Sequence, residues 1–189
     1  MATRAALRRA FLELKAEVPL GSMTVSEICR RAGVSRGAFY LHYGSVDELL
    51  DDVLDEALSG IGDMFSNVEG GGCDCKHPLC MFIRSRTDYR CVFADRSLTD
   101  RIYDRIYREF YEGFRDRMMR TTELNGSQIR SLFCFQINGC LTTAILNIDS
   151  DDRGWCAMRS VLDEFIIEGM DGFCQGRGRG SGGCRDEDA

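Results

Sequence analysis

No proline follows Pro78, and the chain runs 111 residues further. Proline breaks helices more strongly than any other residue, since it lacks the amide hydrogen and its ring collides with the preceding turn. A stretch of this length without one leaves long helices unobstructed. Leu7, Ala10, Phe11 and Leu14 recur at i, i+3, i+4 and i+7, predicting an amphipathic helix over 3–17 with Thr3 as a candidate cap. Pro19-Leu20-Gly21 ends it. Thr24 followed by Glu27 is a capping box and opens a short helix that Gly33 closes after Ala32. Ser35 caps a third helix over 35–42, and Ser45 with Glu48 opens a fourth.

In that fourth helix, helical spacing of Leu49, Leu50, Val53, Leu54, Ala57, Ile61, Met64 and Phe65 carries the prediction to about Val68. Its acidic residues Asp47, Glu48, Asp51, Asp52, Asp55 and Glu56 crowd the amino-terminal half, where they complement the helix dipole. Further helices are predicted at 79–88, 90–97, 99–121, 127–148 and 153–174. No segment alternates with period two for long enough to argue for a strand. The expected class is all-α.

With 189 residues, 44% hydrophobic and 29% charged, the composition is that of a soluble globular chain and excludes two large independent domains. The net charge of −6 hides an asymmetry: residues 1–46 carry +4 and the remainder −10. Such a chain brings only its head to a polyanion, which argues against general coating of nucleic acid. No secretory signal is visible at the amino terminus, so a cytoplasmic location is expected. Most of the ten cysteines, among them Cys29, Cys91, Cys134, Cys140 and Cys156, sit singly in apolar helical patterns, and no disulfide framework is expected.

Residues 131–148 carry no charge. A membrane span fits that length, but Ser131, Gln136, Asn138, Thr142, Thr143 and Asn147 interrupt it, so a helix buried on nearly all sides is the better reading and no membrane partner is expected. Gly139 and Ala144 would let a neighbour approach closely. With the next helix (Met158, Val161, Leu162, Phe165, Ile166, Met170, Phe173) it offers more apolar surface than one small chain covers, predicting a homodimer through 127–148 and 153–174.

Residues 24–43, TVSEICRRAGVSRGAFYLHY, have helix-turn-helix spacing. Ile28, Ala32, Val34 and Phe39 would lock the two helices together, while Arg36, Gly37, Ala38 and Tyr40 point outward. Gly37 and Ala38 let the backbone approach base edges, Arg36 can reach a guanine or a phosphate, and Tyr40 and His42 can bond phosphates. Thr24 and Ser35 complete the candidate DNA-binding set. Without a functional role, the same pair would be a helical corner of an all-α core.

The run Arg31-Ala32-Gly33-Val34-Ser35, with Thr24, Ile28, Gly37, Phe39-Tyr40, His42-Tyr43 and Glu48-Leu49, resembles the amino-terminal domain of the TetR/AcrR family of bacterial transcriptional regulators. The likeness covers about residues 4–55. It implies a three-helix helix-turn-helix domain over 1–45 and a helical ligand-binding and dimerisation domain over 46–174, while the glycine-rich composition of 175–189 predicts a disordered tail. It also implies a homodimer on palindromic double-stranded operator DNA, usually a repressor released by a small-molecule effector. One departure matters: the family commonly has a phosphate-gripping lysine where this chain has Val46. That leaves Arg4, Arg8 and Arg9 as compensating cations, and it keeps open a helical dimerisation module whose head no longer binds DNA.

Phe82, Tyr89, Phe93, Tyr103, Tyr107, Phe110, Phe114 and Phe133 are candidates for an aromatic effector pocket, although stripes at helical spacing are more often ordinary core. The charged residues of the 99–121 helix, including Arg101 and Arg105, are expected on a solvated, salt-bridge-laced face. Cys73, Cys75, His77 and Cys80 form the one compact soft-ligand cluster, whose alternatives are a zinc or thiol sensor and no role at all. No metal or other cofactor is expected. With two histidines, no phosphate-binding loop and no dinucleotide fingerprint, an enzyme is not expected.

Overall fold

The computed structural model describes residues 2–62 and 78–174, and every structural statement below concerns these residues. They are all-α, and the helices whose bounds lie within them are α1 (Ala2–Lys15), α2 (Val25–Ala32), α3 (Arg36–Tyr40), α4 (Val46–Ala57), α5 (Pro78–Ser85), α6 (Arg90–Phe93), α7 (Thr99–Thr121), α8 (Gly126–Leu146) and α9 (Asp152–Cys174). Short 3₁₀ turns at Leu20–Ser22, Thr87–Tyr89 and Arg96–Leu98 join them. α1 packs on α2 and α4, and α8 packs on α5 and α7. One continuous core runs from Leu7 in α1 to Trp155 in α9.

α4 belongs to both halves. Its inner face (Leu49, Leu50, Val53, Leu54, Ala57) is wholly buried. Its acids form two stripes instead of simply facing the helix dipole. Asp47, Asp51 and Asp55, spaced i, i+4, i+8, receive α7: Arg101 reaches Asp47 at 2.9 Å and Asp51 at 2.7 Å, and Arg105 reaches Asp51 at 2.5 Å and Asp55 at 2.7 Å. Arg101 and Arg105 therefore make tertiary bridges and are not on a solvated face. The other stripe, Asp52 and Glu56, receives Arg4 and Arg8 from α1. Lys15 adds a further tie, its ammonium 2.8 Å from Asp95 just before α7.

Several boundaries differ from expectation for visible reasons. α4 stops at Ala57, and the chain turns through Leu58–Gly60, where Gly60 takes φ 79°, a left-handed conformation that suits glycine. Arg86 takes up the Ser59 carbonyl there. The helix expected over 79–88 ends at Ser85, where Arg86 leaves helical geometry with φ −88° and ψ 60°, and the one expected over 90–97 ends at Phe93, before Asp95 turns extended and its carboxylate accepts from the Ser97 amide at 2.9 Å. At α8, Asn125 and Gln128 form a reciprocal capping box.

α8 is not buried on nearly all sides. It is the one described helix long and apolar enough to cross a membrane, yet Ile129, Phe133, Ile137, Cys140, Leu141 and Ala144 face the core while Phe135 and Leu146 are 70% and 68% exposed. α9 buries Trp155, leaving Val161 and Phe165 66% and 64% exposed. Between the two helices lies an open groove of about 290 Å³, lined among others by Leu132, Phe135, Gly139, Phe165 and Gly169.

Candidate nucleic-acid interface

The head is built from local caps and one buried ring system. The Thr24 hydroxyl accepts from the Glu27 amide at 3.3 Å, and the Glu27 carboxylate accepts from the Thr24 amide at 3.2 Å and its hydroxyl at 2.7 Å. This capping box holds the start of α2. Gly33 follows with φ 67° and ψ 30°, the left-handed geometry that lets α3 leave α2 at an angle. The Ser35 Oγ then accepts from the Ala38 amide at 3.1 Å and caps α3. At Ser45 the hydroxyl accepts from the Glu48 amide, but the Glu48 carboxylate reaches back to the Gly44 amide at 2.7 Å, one residue beyond a reciprocal box. A Cβ on Gly44 would lie 2.9 Å from that carboxylate, so glycine makes room for the contact.

Ile28 and Phe39 are fully buried and pin α3 on the domain. The outer face of α3 is left to solvent. Arg36 and Gly37 are exposed, Ala38 is half-buried, and Tyr40 is 52% exposed with its ring edge-on to Phe39 at 5.4 Å. His42 is exposed beside Tyr43. Thr24 and Ser35 lie at the starts of the two helices with their oxygens engaged as caps. The seven candidate residues thus surround one solvent-facing corner.

Charge is distributed less freely than the letters imply. Arg4 and Arg8 do not stand free as compensating cations: Arg4 pairs with Asp52, and Arg8 lies 3.3 Å from Asp52 and 3.4 Å from Glu56. The Tyr43 hydroxyl donates to Asp52 at 2.6 Å and accepts from Arg4 at 3.3 Å. Burial pushes the Asp52 carboxyl up, but the Tyr43 hydrogen bond and the two guanidinium charges outweigh it and hold the group below its usual value. Burial, then the Asp52 contact, raises the Tyr43 phenol. Arg31 forms a two-pronged bridge to Glu17 at 2.7 and 2.8 Å. Arg9 is exposed and 3.9 Å from Glu13. Arg30 and Arg36 make no ion pair among the described residues. Val46, in the place of the family's usual lysine, is half-buried against the core.

Residues 7–53 match the family model of bacterial regulatory proteins of the tetR family. The head is thus similar to the amino-terminal domain of that family. Among its relatives is the uncharacterized HTH-type transcriptional regulator YxbF of Bacillus subtilis, 26% identical over 113 residues, covering 56% of this chain and 30% of that protein. An uncharacterized HTH-type transcriptional regulator of Haemophilus influenzae is 37% identical over 54 residues, covering 29% of this chain and 26% of that protein. The chain therefore spans under a third of the length of these relatives. Regulators, not enzymes, are what it resembles. Two solved structures share the fold: a protein from Shewanella sp. PV-4 assigned to the tetR family of transcription regulators, with TM-score 0.65, 16% identity and coverage of 87% and 95% of the two chains, and a Clostridium perfringens protein assigned as a fatty acid metabolism regulator, with TM-score 0.59, 15% identity and coverage of 87% and 97%.

Beyond the tetR-like head, the pocket candidates divide. Phe133 is the centre of a ring cluster with Tyr107 at 5.6 Å, Tyr111 at 5.4 Å and Phe114 at 5.2 Å, and Tyr103 lies 6.0 Å from Tyr107. Phe82 and Phe93 are buried core, and Tyr89 and Phe110 are half-buried. The Tyr103 hydroxyl lies 2.9 Å from the Cys134 sulfur, and burial, then this contact, raises its pKa. Of the soft-ligand set, Cys73, Cys75 and His77 fall outside the described residues. Cys80 is buried and donates to the Cys140 carbonyl at 3.4 Å; contact with Cys140, then burial, pushes its thiol well up. No group of three or more potential ligands occurs among the described residues.

Sequence reasoning passed over Arg30 as a candidate contact and Leu41 altogether, although Leu41 is 83% exposed. The signal was available in the spacing, because residue 41 lies one helical turn beyond Gly37.

Proposed function

We propose that this chain is a tetR-type transcriptional regulator that binds palindromic operator DNA as a homodimer and represses until a small-molecule effector loosens it. The observation that carries this reading is the outer face of α3, where an ion-pair-free Arg36 stands beside Gly37 on a domain matching the tetR model. Nothing inside the protein requires glycine at 37, since a Cβ there would meet Ser35 Oγ at an ordinary 3.7 Å. The open space serves an approaching partner. In this reading the head, 1–45, docks in the major groove with Arg36 on a guanine edge or phosphate and with Thr24, Ser35, Ala38, Tyr40 and His42 around it. Residues 46–174 regulate and dimerise, the exposed faces of α8 and α9 meet a second copy, and the effector site involves the rings around Phe133. We assign a cytoplasmic location, no cofactor and no membrane partner.

The test is operator binding by Arg36→Ala and Tyr40→Phe variants. Loss of a good base or phosphate contact at Arg36 costs about 1–3 kcal/mol, about fivefold to about 160-fold in affinity. Circular dichroism should be unchanged, since both side chains are exposed. Unaltered affinity in both variants removes α3 from the interface.

A further inference from the structure

Leu41 is the most exposed large apolar side chain described, at 83%, and it sits in the middle of a polar, cationic corner. Residues 36, 37 and 40 form the outer face of α3 and Leu41, its C-cap in right-handed helical geometry, continues that face, giving two rows spaced four apart: Arg36 with Tyr40, and Gly37 with Leu41. Arg36 and Tyr40 can hydrogen-bond with a nucleic acid. Leu41 cannot bond a phosphate, and the empty position at Gly37 leaves room for a base edge to come up against its row. The apolar feature that duplex DNA presents in its major groove is the C5-methyl group of thymine. We propose that Leu41 is a specificity-determining residue that packs on a thymine methyl, so that each half-site carries a T·A pair beside the base or phosphate held by Arg36. This rests on the DNA-binding reading given above.

Its energetic weight follows from size. Burying one methyl-sized group against an aliphatic side chain is worth about 0.8 kcal/mol, or about fourfold in affinity per half-site.

The experiment begins with duplexes selected by the full-length protein from a random library. Each thymidine of the enriched duplex is then replaced singly by deoxyuridine, which removes the methyl and keeps every hydrogen bond. Binding is measured for the parent protein and for Leu41→Ala, whose fold is checked by thermal melting. One thymidine in each half-site should lower the parent's affinity about fourfold on losing its methyl and leave Leu41→Ala unaffected, with Leu41→Ala, which loses the contact in both half-sites at once, about sixteenfold weaker than the parent on the unmodified duplex. Sequence-specific binding in which no methyl distinguishes the two proteins overturns the role of Leu41 and leaves the DNA-binding reading standing. A selection that enriches no sequence overturns both.

Discussion

In the head, each short helix is closed at its start by its own neighbours and buries its apolar face within a single chain. Thr24 and Glu27 cap α2, Ser35 caps α3, and Leu7, Phe11, Ile28, Phe39 and Leu49 are all fully buried. The α8–α9 pair is different: α8 has an equally good capping box at Asn125 and Gln128, yet Phe135, Leu146, Val161 and Phe165 remain exposed, Phe135 and Phe165 lining an apolar groove. The difference teaches that local helix stability and tertiary completeness are separate matters. Among the described residues the head buries its apolar faces, whereas the pair leaves apolar surface open.

Breaking the buried head should have the largest effect. Phe39→Ala removes a fully buried ring and is expected to cost about 3–5 kcal/mol, enough to unfold the head at 37 °C, seen as a lower melting temperature together with complete loss of DNA binding. Phe165→Glu places a charge on the open pair. It should convert a dimer to a monomer in sedimentation equilibrium, at a cost of about 2 kcal/mol or more at each symmetric copy, while the head keeps its helical signal. An unchanged oligomeric state would show that the second copy does not sit on this face.

A smaller effect sharpens the comparison at α4, where the two regions join. Burial raises the carboxyl groups of Asp51, Asp52 and Asp95, but their hydrogen bonds and the arginine or lysine charges prevail, and all three lie below their usual values. The unfolded chain therefore takes up protons first as the solution is acidified. Their contribution is whole above about pH 4 and is lost as pH falls through the lower folded-state values. Thermal melts between pH 7 and pH 3 should show stability falling on the acid side, and Asp51→Asn should flatten that fall. An identical acid slope in the variant would separate the Arg101 and Arg105 bridges from the stability of the junction.

What could be read from the letters follows the same division. The caps at Thr24 and Ser35, the break at Gly33 and the buried Leu7–Leu14 stripe are local patterns spanning less than a few turns, and they were legible. Asn125–Gln128 was equally local and could have been read as a capping box. The partners of Arg4 and Arg8 were not legible, because Asp52 lies 48 and 44 residues away and only the packing of α1 on α4 brings them together. The end of α4 depended on Gly60 turning left-handed beneath Arg86, a tertiary choice that helical spacing alone does not reveal. At the candidate interface, the outward residues of α3 followed from periodicity. Which of the head's cations remain available did not, since that depends on acids supplied by α1 and α4.

The most direct test is fluorescence anisotropy of the reduced full-length protein with its selected duplex and with a scrambled duplex of the same composition, across a salt series. Both should weaken as salt rises, because phosphate contacts release counterions. The account predicts that preference for the selected duplex persists at moderate salt and falls in Arg36→Ala. Equal binding to both duplexes, vanishing with salt, would contradict it and reduce the head to a nonspecific cationic surface.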